Sequence, residues 1–328
     1  MAYKFKFKEG LEAGVRRIAV EQLDVALESP PANAEGRAPW IHETRKNIKR
    51  IRALLRLVRS GIVPSEFRTE NARLRDCARL LSPLRDRHVI LERLGHLRAS
   101  GDEKLEAACI WLERSIKASS AKQNRSSRDT GEDAASDPVQ AALAQLKASR
   151  RRLLGLTVKG SLIDVAGHGL ARCQRNGREA LGEAEQAGSD EAFHDLRKTM
   201  QTSWHQTRLL EGAWPEVAAA RMASAREISD LLGEFQDLSI LIQLADRKAK
   251  SAATRKHAKA LASAGQQQQQ QLTAMALPLA RRHLALPPSA LADEFTECWR
   301  AASRHAHEVK RSLRSGSTPA PTKRKHDQ

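Results

Sequence analysis

HETRKNIKRIRALLRLVR, residues His42 to Arg59, decides the fold class. The stretch holds no Gly or Pro, and its apolar residues recur at helical spacing, so it is predicted to be a helix. On a wheel at about 100° per residue, Ile48, Ile51, Leu54, Leu55 and Val58 fall on one side. His42, Arg45, Lys46, Lys49 and Arg56 fall on the other, within about 100° of one another. One side suits a core and the other is a row of positive charge. Each like-charge pair at i,i+4 costs roughly 0.2–0.5 kcal/mol, and Glu43 is the one acid present to relieve it. A solvated face and a polyanion-binding surface are both consistent with one such row. Recurrence of the pattern decides between them.

The pattern recurs. HDLRKTMQTSWHQTRLLE, from His194, aligns without a gap beneath the first stretch, matching the His, the pair Arg45-Lys46 with Arg197-Lys198, and Arg56 with Arg208. Further on, LLSPLRDRHVI (80–90) aligns with LLGEFQDLSIL (231–241), which sets Asp86 against Asp237. The offsets, 152 and 151 residues, point to a tandem duplication with units of about 150 residues. His194, Arg197, Lys198, His205 and Arg208 again share a face. A merely solvated face has no reason to keep this opening through duplication, so polyanion binding becomes the leading reading. Thr202 and Gln201 stand where the first copy has Arg50 and Lys49, so fewer contacts are expected from the second copy.

Composition agrees. The 328 residues carry 56 Lys and Arg against 39 Asp and Glu, a net charge of +17, which calls for an acidic partner. Hydrophobic residues make up 41%, enough for a core. Aromatic residues are only 4%, too few for the stacking platforms of single-strand nucleic-acid binding. Phosphate needs Lys and Arg instead. Cys77, Cys109, Cys173 and Cys298 are widely spaced, without a zinc pattern, and read as buried thiols. The N-terminus, MAYKFKFKEG, lacks the apolar core of a secretory signal, and no apolar run reaches membrane-span length, so a cytoplasmic location and no membrane span are expected.

Taken in order, Tyr3 to Lys8 reads as an extended lead-in, Gly10 to Leu27 as a helix and Ser29 to Pro39 as a loop. Helices are expected over Glu66–Leu81, a short segment after Pro83, Asp102–Lys117, Val139–Leu156, Ser161–Leu181, Phe193–Glu211 and Glu216–Leu232, with a last one from Pro287-Pro288 to about Arg314. Ser119 to Pro138 is polar and reads as a flexible insert, and residues 315–328 as a disordered basic tail. The class is all-α.

Together, His42-x-x-Arg45-Lys46, His194-x-x-Arg197-Lys198, Leu84-Arg85-Asp86, Phe235-Gln236-Asp237, the lead-in EGLEAGVRRIAVEQLDVAL and the late segment ARRHLALPPSALADEFTECWRA resemble the CHAD family, the conserved histidine α-helical domain, over roughly residues 1–314. The resemblance implies two four-helix bundles related by pseudo-twofold symmetry, here residues 1–157 and 158–314, around a basic cleft. It also implies binding of inorganic polyphosphate and association with polyphosphate granules and their proteins. The residues expected to bind are Arg16, Arg17, His42, Arg45, Lys46, Lys49, Arg50, Arg52, Arg56, Arg75, Arg172, Arg175, His194, Arg197, Lys198, His205, Arg208 and Arg226.

No catalytic residue, metal or cofactor is expected, since no P-loop, HExxH or EF-hand pattern occurs. A metal-dependent phosphoanhydride-processing enzyme and a nucleic-acid backbone binder stand as competing readings. His42 and His194 are open between phosphate ligand, metal ligand and structural anchor. Asp86 and Asp237, read as following a helix end, are expected to be N-caps or ion-pair partners that orient an Arg.

Overall fold

The computed structural model describes residues 3–28, 34–81, 83–98, 102–129 and 137–314. Eleven α-helices, and no strand, occur among the described residues. They are α1 (Leu11–Leu27), α2 (Ala34–Leu57), α3 (Pro64–Leu80), α4 (Pro83–Arg98), α5 (Glu103–Asp129), α6 (Pro138–Leu154), α7 (Leu162–Ala187), α8 (Asp190–Leu209), α9 (Pro215–Lys248), α10 (Ala252–His283) and α11 (Pro288–Arg314). A 3-10 turn, Arg59–Gly61, follows α2. No described helix is long and apolar enough to cross a membrane.

Local chemistry explains many of the helix ends. Pro64, Pro138 and Pro215 start α3, α6 and α9, where a missing N–H costs nothing. Ser161 and Ser189 cap α7 and α8 by accepting from Asp164 N and Ala192 N. Ser251 and Thr254 form a reciprocal capping box on α10. Gly188 ends α7 with φ 57°, the left-handed conformation that favours glycine.

Three sequence expectations are corrected. The loop expected over residues 29–39 gives way at Ala34, where α2 begins, leaving Pro39 inside the helix. The expected insert is helical through Asp129 as the continuation of α5. Helix α9 does not stop at Leu232 but runs on to Lys248. Phe235-Gln236-Asp237 is therefore not a turn, and Asp237 is not an N-cap. The first half has Pro83 where α9 has Glu234, and no proline interrupts the hydrogen-bond ladder there. Gly233 has a packing role instead, because a Cβ there would stand 2.9 Å from Arg197 Nη2. The expected tail, residues 315–328, and the Asp86 side chain lie outside the described residues.

Two hydrophobic cores result. Helices α1, α2, α3 and α6 build the first around Ile18, Leu54, Leu74 and Leu146, and α11 adds Phe295 and Trp299. The second joins α8, α9 and α10 to α4 and α5 through Leu196, Leu232, Leu261, Leu94 and Leu112. Fully burying such a side chain stabilises by roughly 1.5–3 kcal/mol. The packing does not follow the expected boundary at residue 157. Helices α4 and α5 precede that boundary yet pack in the second core, and α7 places Val165 in the first core and Leu181 in the second. Helix α7 also crosses the end of α2 so closely that a Cβ on Gly169 would overlap the Leu57 carbonyl.

A candidate anion-binding cleft

The two related helices meet. Arg56 of α2 donates from Nη1 to Thr202 Oγ1 of α8 at 3.1 Å, and Gln206 Nε2 donates to the Ala53 carbonyl at 3.4 Å, so the helices run antiparallel. The N-terminal lead-in seals the other end of this contact. Tyr3 donates its hydroxyl to the Arg50 carbonyl at 2.7 Å and meets the His205 ring edge-on, while Phe5 N bonds the Leu209 carbonyl.

Helices α2 and α3 face α8 and α9 across a cleft of about 690 Å³. Eight cations line it: Arg45, Lys49, Arg52 and Arg56 from α2, Arg75 and Arg79 from α3, and Arg197 and Lys198 from α8. Among the described residues one carboxylate lines it, Asp237, which is 3.7 Å from Arg93. Asp237 thus fits the ion-pair reading.

Neutral oxygens aim several of these cations. Arg45 Nη1 donates to the Ala78 carbonyl at 2.6 Å, and Arg52 Nε to Asn71 Oδ1 at 3.0 Å. Arg197 Nη1 donates to Gln236 Oε1 at 2.8 Å. The same oxygen lies 2.6 Å from His194 Nδ1, so His194 donates from Nδ1 and is tied to α9. These neutral acceptors orient the three guanidinium groups in the cleft wall. Lys198 is held by Asp195 at 2.7 Å, and Arg75 and Arg79 by Asp76 at 3.0 and 3.4 Å.

Crowding of like charge shows in the titration behaviour. Burial, then the neighbours Arg56, Arg75 and Arg79, push Arg52 down to about 10. Burial likewise lowers Arg56. His205 is buried, and burial together with Arg50, Lys49 and Lys46 pushes it down to about 3, so it lines the wall as a neutral ring. Burial is also the main cause lowering His194.

Of the residues expected to bind, the cleft gathers Arg45, Lys49, Arg52, Arg56, Arg75, His194, Arg197, Lys198 and His205. Others lie elsewhere. Arg16 bonds the Leu156 carbonyl and pairs with Glu12, and Arg17 is gripped by Glu9, Glu21 and the Lys4 carbonyl. Arg50 donates to Gln22 and Asn47 beneath Tyr3. Lys46 pairs with Glu43, Arg208 with Glu211 and Arg226 with Asp230. His42 and Arg175 are exposed and line neither the cleft nor its side chamber. The lining face of α2, centred on Arg45, Lys49, Arg52 and Arg56, is rotated about 40° toward Ile48 from the row expected on the wheel. Asn71, Arg79 and Gln236 belong to the site without having been selected. The stripe Asn71, Arg75, Arg79 at i,i+4 spacing was the signal available for two of them.

A side chamber of about 440 Å³ opens beside the cleft, between α7 and α8, and shares Arg56, Asn71, Lys198 and Thr202 with it. Arg172 of the expected set lies here, with Arg59. Among the described residues no three His, Cys, Asp or Glu side chains converge as metal donors.

Fold and site together define an all-helical protein with a cation-lined cleft between the two helices that carry the His-x-x-Arg-Lys motif. The CHAD domain matches residues 17–246, most of the chain, and the chain belongs to the CHAD family. Among solved structures it is similar in fold to PptA from Streptomyces chartreusis, with a TM-score of 0.54 and 15% identity, over 83% of this chain and 98% of that one. Comparison with curated proteins gives no match.

Proposed function

We propose that the cleft binds linear inorganic polyphosphate and does not cleave it. The observation that carries the reading is the gathering of eight cations against one lining carboxylate among the described residues. Polyphosphate offers about one charge per phosphate and no base to read, so a ladder of Arg forks and Lys point charges suffices. Burial, and then the neighbouring guanidinium groups, disfavour the charge on Arg52 in the free protein, and a bound polyanion offsets the like-charge part of that cost. The CHAD family is associated with polyphosphate binding, which supports the assignment.

Binding without cleavage is supported by the state of the groups that would do acid-base work. His205 is held neutral, His194 is tied to Gln236 and Asp237 is paired with Arg93. In the cell, the same contacts would carry the protein to polyphosphate granules.

Thermal unfolding tests the reading with long-chain polyphosphate, duplex DNA and orthophosphate at matched phosphate concentration. Polyphosphate at a hundred times its Kd should stabilise by about 2.7 kcal/mol. An equal shift with DNA would sink selectivity. Orthophosphate released from the polymer during incubation with a divalent metal would sink the non-enzymatic part.

A further inference from the structure

We propose that the side chamber seats the terminal phosphate of a polyphosphate chain whose body lies in the main cleft, so that the protein captures chain ends. The proposal rests on the polyphosphate reading above and adds a direction to it.

The chamber is continuous with the cleft over Arg56, Asn71, Lys198 and Thr202. Its own cations are Arg59, from the 3-10 turn, and Arg172 of α7. Neither guanidinium makes a hydrogen bond or ion pair with a described residue. Arg172 Nη1 is buried with no partner, and Arg59 is steadied by the Phe67 ring, 4.9 Å from its centroid. Burial, Arg59 and Arg175 all disfavour the charge on Arg172. Two cations stand close together, and neither is paired with a described residue.

The far wall carries the opposite sign. From Arg172, the lining stripe of α7 runs through Asn176 to Glu179 and Glu183, about 16 Å along the axis. Neither carboxylate pairs with a described residue, and Asp195 of α8 joins them on the wall. A chain extended past Arg172 would bring phosphates against these carboxylates. One turn before Arg172, α7 and α2 approach so closely that a Cβ on Gly169 would overlap the Leu57 carbonyl. Polymer can enter the chamber from the cleft and is repelled on leaving it.

A chain end suits such a stop. An internal phosphate carries one ionisable oxygen. A terminal phosphate has a second, and like a phosphate monoester it ionises again near pH 6 and offers about three acceptor oxygens. Two unpaired guanidinium forks match that group better than a bridging phosphate. Glu179 and Glu183 then act as specificity determinants by repelling further units.

Binding of medium-length polyphosphate with free ends is compared, at pH 7.5, with chains of the same length whose two terminal phosphates are capped as alkyl phosphoramidates. The wild type should bind free ends about tenfold tighter, the worth of one good charge-assisted contact. R172Q should bring that ratio close to one by weakening the binding of free ends. R59Q, at an exposed side chain where folding is not at stake, should do the same. E179Q/E183Q should narrow the ratio from the other side, by improving capped-chain binding. Equal, tight binding of both ligands by the wild type would overturn end capture and leave the cleft assignment standing, and so would R172Q weakening both ligands alike. Binding of neither ligand would overturn the cleft assignment and end capture with it.

Discussion

Replacing Arg52 and Arg75 together by glutamine removes two cations from adjacent helices of the cleft. The eight lining cations, set against the carboxylates Asp237, Asp76 and Asp195, leave about five net positive charges among the described residues. A flexible polyanion releases counterions with a slope of roughly −0.7 per contact in log K against log salt, so the wild type should show about −3.5 and R52Q/R75Q about −2.1. Between 50 and 200 mM salt this predicts about a 130-fold loss of affinity for the wild type and about 18-fold for the variant. At fixed low salt the variant loses two charge-assisted contacts worth about 1.5 kcal/mol each, roughly a hundredfold in Kd. The fold should survive. The lost Arg52–Asn71 hydrogen bond costs about 1 kcal/mol, and removing a guanidinium that burial, and then Arg56, Arg75 and Arg79, hold down to about 10 offsets it. Calorimetric titration of long-chain polyphosphate across a salt series, with melting of the free proteins as control, supplies both numbers. An unchanged slope, or lost binding that tracks lost folding, would refute the assignment of these side chains to the ligand.

Three further outcomes follow from particular contacts. His205 and His283 are buried, and burial holds them down to about 3 and about 4. Below pH 6.5 the unfolded chain takes up protons that the native rings refuse, so stability falls on acidification. By pH 5 this amounts to roughly 2 kcal/mol per ring. Urea unfolding of H283Q at pH 7.5 and 5 should show about half that histidine loss, and an identical pH dependence would remove this ring from the account. G169A forces a methyl into the Leu57 carbonyl and should cost about 2 kcal/mol or more, read as a lower denaturation midpoint; wild-type stability would mean α7 can move off α2 freely. Q236L takes the acceptor from both His194 and Arg197 and should cost about 1–3 kcal/mol of stability and lower polyphosphate affinity. Unaltered melting and binding would show that Gln236 positions neither side chain.

Much of the helical layout was legible because amphipathic periodicity and Pro placement are local. The break expected between Phe193–Glu211 and Glu216–Leu232 is found, with Trp214-Pro215 at the start of α9. The helix end expected at Leu232 is not found: the helix continues through Gly233, which makes room for Arg197. The site was legible in outline. His-x-x-Arg-Lys at two positions marked the two helices that meet, and nine of the expected side chains reach the cleft. Arg17 and Arg50 carry the same charge in sequence as Arg52, but Glu9 and Gln22 come to them through folding.

The amino-acid sequence by itself determined the all-helical class, the repeat of His42 at His194 and the excess of positive charge, because each depends on spacing along one helix or on composition. Only the tertiary structure decided that α4 and α5 join the second core, that the working face of α2 turns toward Ile48, and that Arg59 and Arg172 share a chamber with Glu179 and Glu183. Those outcomes depend on which helices cross and how closely, and a contact such as Gly169 on Leu57 joins residues more than a hundred positions apart, beyond the reach of any local pattern.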